Sequence, residues 1–170
     1  SRQYRRPSVE QLDAVSVIRL NLPTETGRPL WRIVNALHLG FRIVLRSLFK
    51  RYDVIIVATI PPVLGGFFSA LAAKLTRARF IYYCMDLHPE IGRISGDFAN
   101  PMLFRVLQAL DDWACRQAST VLVHSEDMRN TLRQRPRGPE YRIEVMNNFA
   151  LPSEQGLSHE SDSQWDKKGI

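Results

Sequence analysis

The stretch DVIIVATI, residues 53–60, is β-branched and apolar almost without interruption. A strand with one face in water alternates apolar and polar residues, whereas a continuous apolar run suits a strand covered on both faces, as in parallel sheets. Four further β-branched or aromatic runs stand on either side of it: Val15–Leu22, Phe80–Met85, Thr120–His124 and Ile143–Met146. Long helical patterns separate the runs. Strands alternating with helices predict an α/β fold built on a doubly wound parallel sheet.

The helix ends are readable. In NPMLFRVLQALDDWACRQA, Asn100 is placed to cap and Pro101 to occupy the first helical position. Leu103, Val106, Leu107, Leu110, Trp113 and Ala114 form one apolar stripe, expected to face the core. Ser125 caps the next helix, with Glu126 and Asp127 in its first turn, and RPRGPE breaks it. From Leu151 to Ile170 the apolar periodicity is lost, and this stretch is expected to be a linker.

The helix expected from Pro29 to Lys50 differs. Leu30, Ile33, Val34, Leu37, Phe41, Val44, Leu45 and Leu48 read as its core stripe, and Arg32, Arg42, Arg46 and Lys50 lie on the other side. No acidic residue falls between Glu25 and Asp53. Leu39 and Ile43 sit among the arginines, on the side expected to meet water. Arginines mixed with exposed apolar residues suit an anionic membrane surface. The plainer reading is a solvated basic helix whose Leu39 and Ile43 pack on a neighbour.

Composition bounds the remaining classes. With 170 residues, 45% apolar and 24% charged, the chain has enough material for one domain with a core. No stretch of about 18 residues is free of charge, so no spanning helix is expected. The opening SRQYRRPSVE is basic and polar, reads as no signal peptide, and without Met reads as a cut. Cys84 and Cys115 lie far apart in apolar surroundings, neither a disulfide framework nor a zinc pattern, and are expected as core residues of a reducing compartment. The net charge of +6 points to a polyanionic partner. Nucleic acid is disfavoured, because no basic stripe interleaved with aromatics and no recognisable module is present.

Ligands of open parallel sheets bind at the carboxyl ends of the strands. IPPVLGG places Gly65 and Gly66 near the start of a helix, open to phosphate or simply packing closely. YYCMDLHPEIG brings Asp86, His88 and Glu90 within five residues. Asp beside His can tune a general base or hold a sugar hydroxyl, while Glu90 also suits a helix's first turn. Metal binding is disfavoured: only four histidines exist, and no strong ligand cluster is visible. Ser125 after the fourth strand, and Asn147 with Asn148 after the fifth, add polar groups to the same rim.

In their order and spacing, DVIIVATIPPVLGG, DLHPE, ANPMLFRVLQALDDWACRQASTVLVHSEDM and VMNNFALP make the stretch from Asp53 to about Pro152 resemble the N-terminal domain of glycosyltransferase family four. The likeness is greatest to the bacterial enzymes that build O-antigen and capsule repeats. His88 stands where Trp is common in such relatives, and Asn147-Asn148 where Asn-Gly is common. The resemblance implies a two-domain enzyme of facing Rossmann-like halves. Residues 1–150 would be a partial acceptor-side domain lacking its first strand. Residues 151–170 would be the interdomain linker, with the donor-binding domain absent and the fragment inactive alone.

The resemblance further implies transfer from a nucleotide-sugar to a lipid-linked (polyprenyl diphosphate) saccharide, with retention and without metal or cofactor. It places the enzyme in the cytoplasm, peripheral on the inner face of the plasma membrane. Asp86, His88 and Glu90 would carry the chemistry; Gly65, Gly66, Ser125, Asn147 and Asn148 would bind substrate; Arg32, Leu39, Arg42, Ile43, Arg46 and Lys50 would touch the membrane. The rival reading is a non-catalytic Rossmann-like module that docks on anionic membrane or on a partner protein.

Overall fold

The structure, a computed structural model, describes residues 7–20, 22, 29–94 and 100–146. The expectations for Asn147, Asn148 and the linker at 151–170 lie outside the described residues. Strands β3 (Val54–Ala58), β4 (Arg79–Cys84), β5 (Thr120–Val123) and β6 (Ile143–Val145) pair in that order as one parallel sheet. The expected α/β, Rossmann-like layout is therefore what forms.

Register explains where the core sits. Val57, Tyr82, Val121 and Ile143 stand side by side across the sheet, and Cys84, Val123 and Val145 form the next row. Helices α2 (Leu64–Thr76), α4 (Pro101–Gln117) and α5 (Glu126–Arg133) follow β3, β4 and β5, with the short α3 (Glu90–Ile94) before α4. Ala70, Ala114, Cys115 and Leu132 of α2, α4 and α5 join these rows in one buried cluster. When right-handed crossovers step one way along a sheet, their helices fall on a single face. The opposite face carries Ile56, Ile81 and Tyr83, and no described helix packs over it; Ile56 is 65% exposed. The second layer of a doubly wound sheet is thus not among the described residues.

Val15–Leu22 is not a strand of this sheet. β1 (Val9–Leu12) and β2 (Val15–Ile18) form a separate antiparallel hairpin, with Leu12 opposite Val15. Asp13 turns the chain at φ 51°, in the left-handed region that Asp tolerates, a turn signal that the surrounding apolar residues of QLDAVS conceal.

Helix α1 (Pro29–Lys50) is rotated from expectation. It packs on α2 through its small residues: Ala36, Gly40 and Ser47 are buried, and a side chain at Gly40 would collide with the Phe68 ring. Ile33, Val34, Leu37, Phe41 and Leu48, read as core, are exposed. A small-residue stripe lets two helices approach more closely than a stripe of Leu and Phe, and here α2 supplies the large side chain. Leu39 and Ile43 are half-buried and line a groove of about 510 Å³ with Ile18 of the hairpin and Leu20 just beyond it.

Helix α4 begins as expected. The Asn100 side chain accepts hydrogen bonds from the Met102 and Leu103 amides at 2.9 and 3.3 Å. Its buried residues, however, are Asp111, Asp112, Ala114 and Cys115, while Leu103 and Val106 are exposed. Cys84 and Cys115, distant in sequence, meet across the sheet–helix interface as free thiols, and the hydrogen bond between them and their burial push the Cys115 thiol up.

Candidate functional site

The parallel sheet delivers the carboxyl ends of β3, β4 and β5 to one edge. Residues 59–63 leave β3, residues 85–89 leave β4, and His124 with Ser125 leave β5. The first two loops are joined by one hydroxyl. Thr59 is buried, and its Oγ1 accepts from the amides of Met85 at 3.2 Å and Asp86 at 3.3 Å. In the first loop the Leu64 amide donates to the Pro62 carbonyl at 2.6 Å, around Val63 at φ 59° and ψ −58°. That tight three-residue turn is strained for a β-branched residue, and burial of Val63 holds it in place.

The second loop is held from beneath. Arg135, after α5, is 5% exposed and grips Glu90 with both arms of its fork: Nε donates to Oε1 at 2.8 Å and Nη2 to Oε2 at 2.7 Å. Nη2 also donates to the His88 carbonyl at 3.1 Å. Nη1 donates to Asp111 at 2.7 Å and Asp112 at 3.0 Å. Two tyrosines complete the cluster: Tyr82 Oη donates to Asp111 and Tyr141 Oη to Asp112, each at 2.7 Å.

The electrostatics follow from that geometry. Burial pushes the Glu90 carboxyl up, but the hydrogen bonds and charge of Arg135 outweigh it and hold it below its ordinary value. For Asp111 burial wins over Arg135 and the Tyr82 hydrogen bond, so this carboxyl is raised. Burial opposes the charge of Arg135, yet Glu90 and Asp111 keep it firmly protonated. Burial and then the Asp111 charge raise the Tyr82 phenol; burial and the Asp112 hydrogen bond raise that of Tyr141.

The three grouped residues therefore separate by role. Glu90 is an anchor: both its oxygens are committed to Arg135, and Gln108 adds a hydrogen bond at 3.3 Å. Asp86 is exposed at the loop's crest. His88 is half-buried, and its Nδ1 is shielded from solvent with no hydrogen-bond partner. His124, against Tyr83 with ring centroids 5.1 Å apart, has the same shielded and unpartnered Nδ1.

A family model described as a glycosyl transferase 4-like domain matches residues 1–148. The chain belongs to that family. No curated protein and no solved structure matches it. A glycosyl transferase 4-like domain serves glycosyl transfer, a reaction between a nucleotide-sugar and an acceptor, and the rim just described is where its sheet opens.

Other expected residues of this transferase domain fall on the rim with structural duties. Gly66 is buried, and a Cβ there would come 2.7 Å from the Tyr82 ring, so this glycine lets α2 lie close on the sheet. Gly65 backs onto Pro61 and the Ile60 carbonyl. Ser125 caps α5, its hydroxyl accepting from the Met128 amide at 3.2 Å. Among the described residues no group of His, Cys, Asp and Glu is set to hold a metal ion. Among them, too, no helix is long and apolar enough to cross a membrane.

Sequence reasoning missed Arg135, Asp111, Asp112, Tyr82, Tyr141 and Thr59. A signal existed for two of them. LQALDDWAC sets Asp111 and Asp112 beside the apolar stripe of α4, and carboxylates that deep require a cation. Arg135 lay inside RQRPRGPE, where Pro136 and Gly138 drew attention as a breaker.

Proposed function

We propose that this domain is the acceptor half of a hexosyltransferase of cell-surface polysaccharide synthesis, of the bacterial O-antigen or capsule type. The whole enzyme transfers a sugar, with retention, from a nucleotide-sugar to a saccharide on a polyprenyl diphosphate carrier. It uses no resident metal or cofactor and works at the cytoplasmic face of the plasma membrane.

The observation that carries this reading is the division of labour in the second loop. Arg135 ties down Glu90 and the His88 carbonyl, while the Asp86 carboxylate and the His88 imidazole stay outside the ion cluster. Anchored backbone with two free titratable side chains at a strand end suits orienting or deprotonating an acceptor hydroxyl. The basic α1 supports work beside an anionic membrane.

The test is transfer by the full-length protein to a polyprenyl-linked acceptor. Asp86→Asn or His88→Ala should lower kcat by about 100-fold or more, the usual range for a general base. Normal turnover in both variants would end the assignment. The second reading, a non-catalytic module, draws on the exposed apolar and basic sides of α1. It is favoured instead if those variants leave every measurable property, lipid binding included, unchanged.

A further inference from the structure

Arg116 is a cation without an anion. It stands half-buried in the last turn of α4, and its Nε is shut off from solvent with no hydrogen-bond partner. Its side chain makes no ion pair with any described residue. Two neighbours in the sequence differ. Arg135 spends its whole fork on Glu90, Asp111 and Asp112. Arg129, whose Nε is shielded in the same way, reaches Glu126 through Nη2. A basic residue in a last turn complements the helix dipole, but that effect gives no reason to withdraw Nε from water. Desolvating a charged donor without an acceptor costs free energy, and such a group in a native fold calls for an explanation.

The cavity beside it supplies one. Arg116 lines a space of about 500 Å³ with Phe67 of α2, Leu110 and Trp113 of α4, and Arg137 from the turn after α5. The Phe67 and Trp113 rings lie 5.2 Å apart, and Lys74 holds its ammonium 5.6 Å from the Trp113 centroid. Arg137 is exposed, and its side chain has no partner among the described residues. One carboxylate lines the same space and is already committed: Asp112 Oδ1 accepts from Arg135 at 3.0 Å and from the Tyr141 hydroxyl at 2.7 Å. Neither Arg116 nor Arg137 is ion-paired to it. Counting Lys74, three cations stand about the cavity against this one carboxylate.

Charge and size together select the ligand. A phosphate monoester carries close to two negative charges at neutral pH, and its oxygens can accept from two guanidiniums at once, whereas a carboxylate brings one charge. A bare ion would leave most of the space empty. The volume falls within the range of small-molecule pockets, about 300–1,000 Å³, and Phe67, Leu110 and Trp113 give an organic body an apolar wall.

We propose that this cavity binds a soluble phosphate monoester carried on a ring-shaped body, with the phosphate held by Arg116 and Arg137 and the body against Trp113. Helices α2 and α4 and the turn after α5 build it, and none of Thr59, Asp86 and His88 lines it. The inference therefore stands apart from the transfer reading, and neither falls with the other.

The probe is phenyl phosphate, a phosphate monoester on a single ring. Inorganic phosphate, the ion alone, and benzoate, a ring with a carboxylate, are the comparisons. Each is titrated into the isotope-labelled whole chain, and the Arg116 Nε–H resonance, assigned by its loss in Arg116→Gln, reports occupancy. Phenyl phosphate is expected to shift that resonance saturably and to bind roughly tenfold or more tightly than either comparison, since it alone combines the charge with the buried ring. Arg116→Gln and Arg137→Gln should each weaken binding by roughly tenfold or more, the effect of losing a charge-assisted hydrogen bond, read from the change in emission that Trp113→Phe removes. The melting temperature of Arg116→Gln should not fall, because the substitution removes a desolvated charge that had no partner.

No saturable shift with phenyl phosphate would overturn the proposal. So would equal affinity for inorganic phosphate, which marks an adventitious ion only, or for benzoate, which removes the choice of phosphate. Binding that survives both arginine substitutions puts the ligand elsewhere and overturns it too. A lower melting temperature for Arg116→Gln with binding intact makes Arg116 a structural residue, with the same consequence.

Discussion

Arg135 and Glu90 meet fork to fork, through two parallel hydrogen bonds of 2.8 and 2.7 Å, across 45 residues of sequence. Through this pair the segment after α5 sets the position of the loop after β4. Asp111 and Asp112 share the same guanidinium, so a single buried cation serves α4, the His88 loop and the approach to β6.

Removing that cation strands three carboxylates. Arg135→Ala should cost about 3–5 kcal/mol, the range for breaking a buried pair, and Arg135→Lys should recover only part, because a point charge cannot reproduce the fork. Urea midpoints of the variants check this. A loss under about 1 kcal/mol for Arg135→Ala would contradict the cluster's role, since exposed pairs cost that little.

Acid should act through Glu90 in a definite direction. Its folded carboxyl titrates below the unfolded one, so its stabilisation is present above the unfolded value, about 4.3, and is lost as pH falls through the folded value. Asp111 is raised and works the other way, losing stability as pH rises through its folded value. Glu90→Gln should therefore flatten the fall in stability below about pH 4.3, and Asp111→Asn should remove the gain in stability that Asp111 gives as pH falls toward its unfolded value of about 3.9. Denaturation midpoints from neutral pH down to about pH 3, below the usual carboxylate range, would show the opposite slopes.

Thr59 tests the joint between the loops. Thr59→Val keeps the shape but leaves the Met85 and Asp86 amides without their acceptor, at a cost of about 1–3 kcal/mol. In the full-length enzyme this variant should lower kcat more than it raises KM, because it loosens Asp86 without touching substrate. Steady-state kinetics beside a melting curve distinguishes the two effects.

Gly66→Ala should destabilise by about 1–3 kcal/mol through overpacking against Tyr82. Gly65→Ala should cost less, since its nearest neighbour would be Pro61 Cδ at 3.1 Å. Equal melting temperatures for the two variants would contradict this packing account.

The parallel sheet was legible because an uninterrupted apolar run, a Pro-led helix and a capped helix are all local signals. The hairpin was not, because its one cue was Asp13 at a two-residue turn inside a run that otherwise reads as a single strand. The face of α1 was misjudged for a different reason. Periodicity shows that a helix has two sides, but which side a neighbour takes depends on that neighbour, here Phe68 filling the space over Gly40. At the rim, Asp86 and His88 were legible as polar groups at a strand end. The meaning of Glu90 was not, because its partner lies 45 residues away and no spacing rule links them.

The thiols offer a clock. Cys84 and Cys115 are the chain's two cysteines, and both are shut inside the core. A thiol reagent therefore labels the folded chain only when the interface between β4 and α4 opens, and its rate of incorporation times that opening without any engineered probe. The same silence means that one cysteine introduced on α1 would be the sole reactive handle on the folded surface.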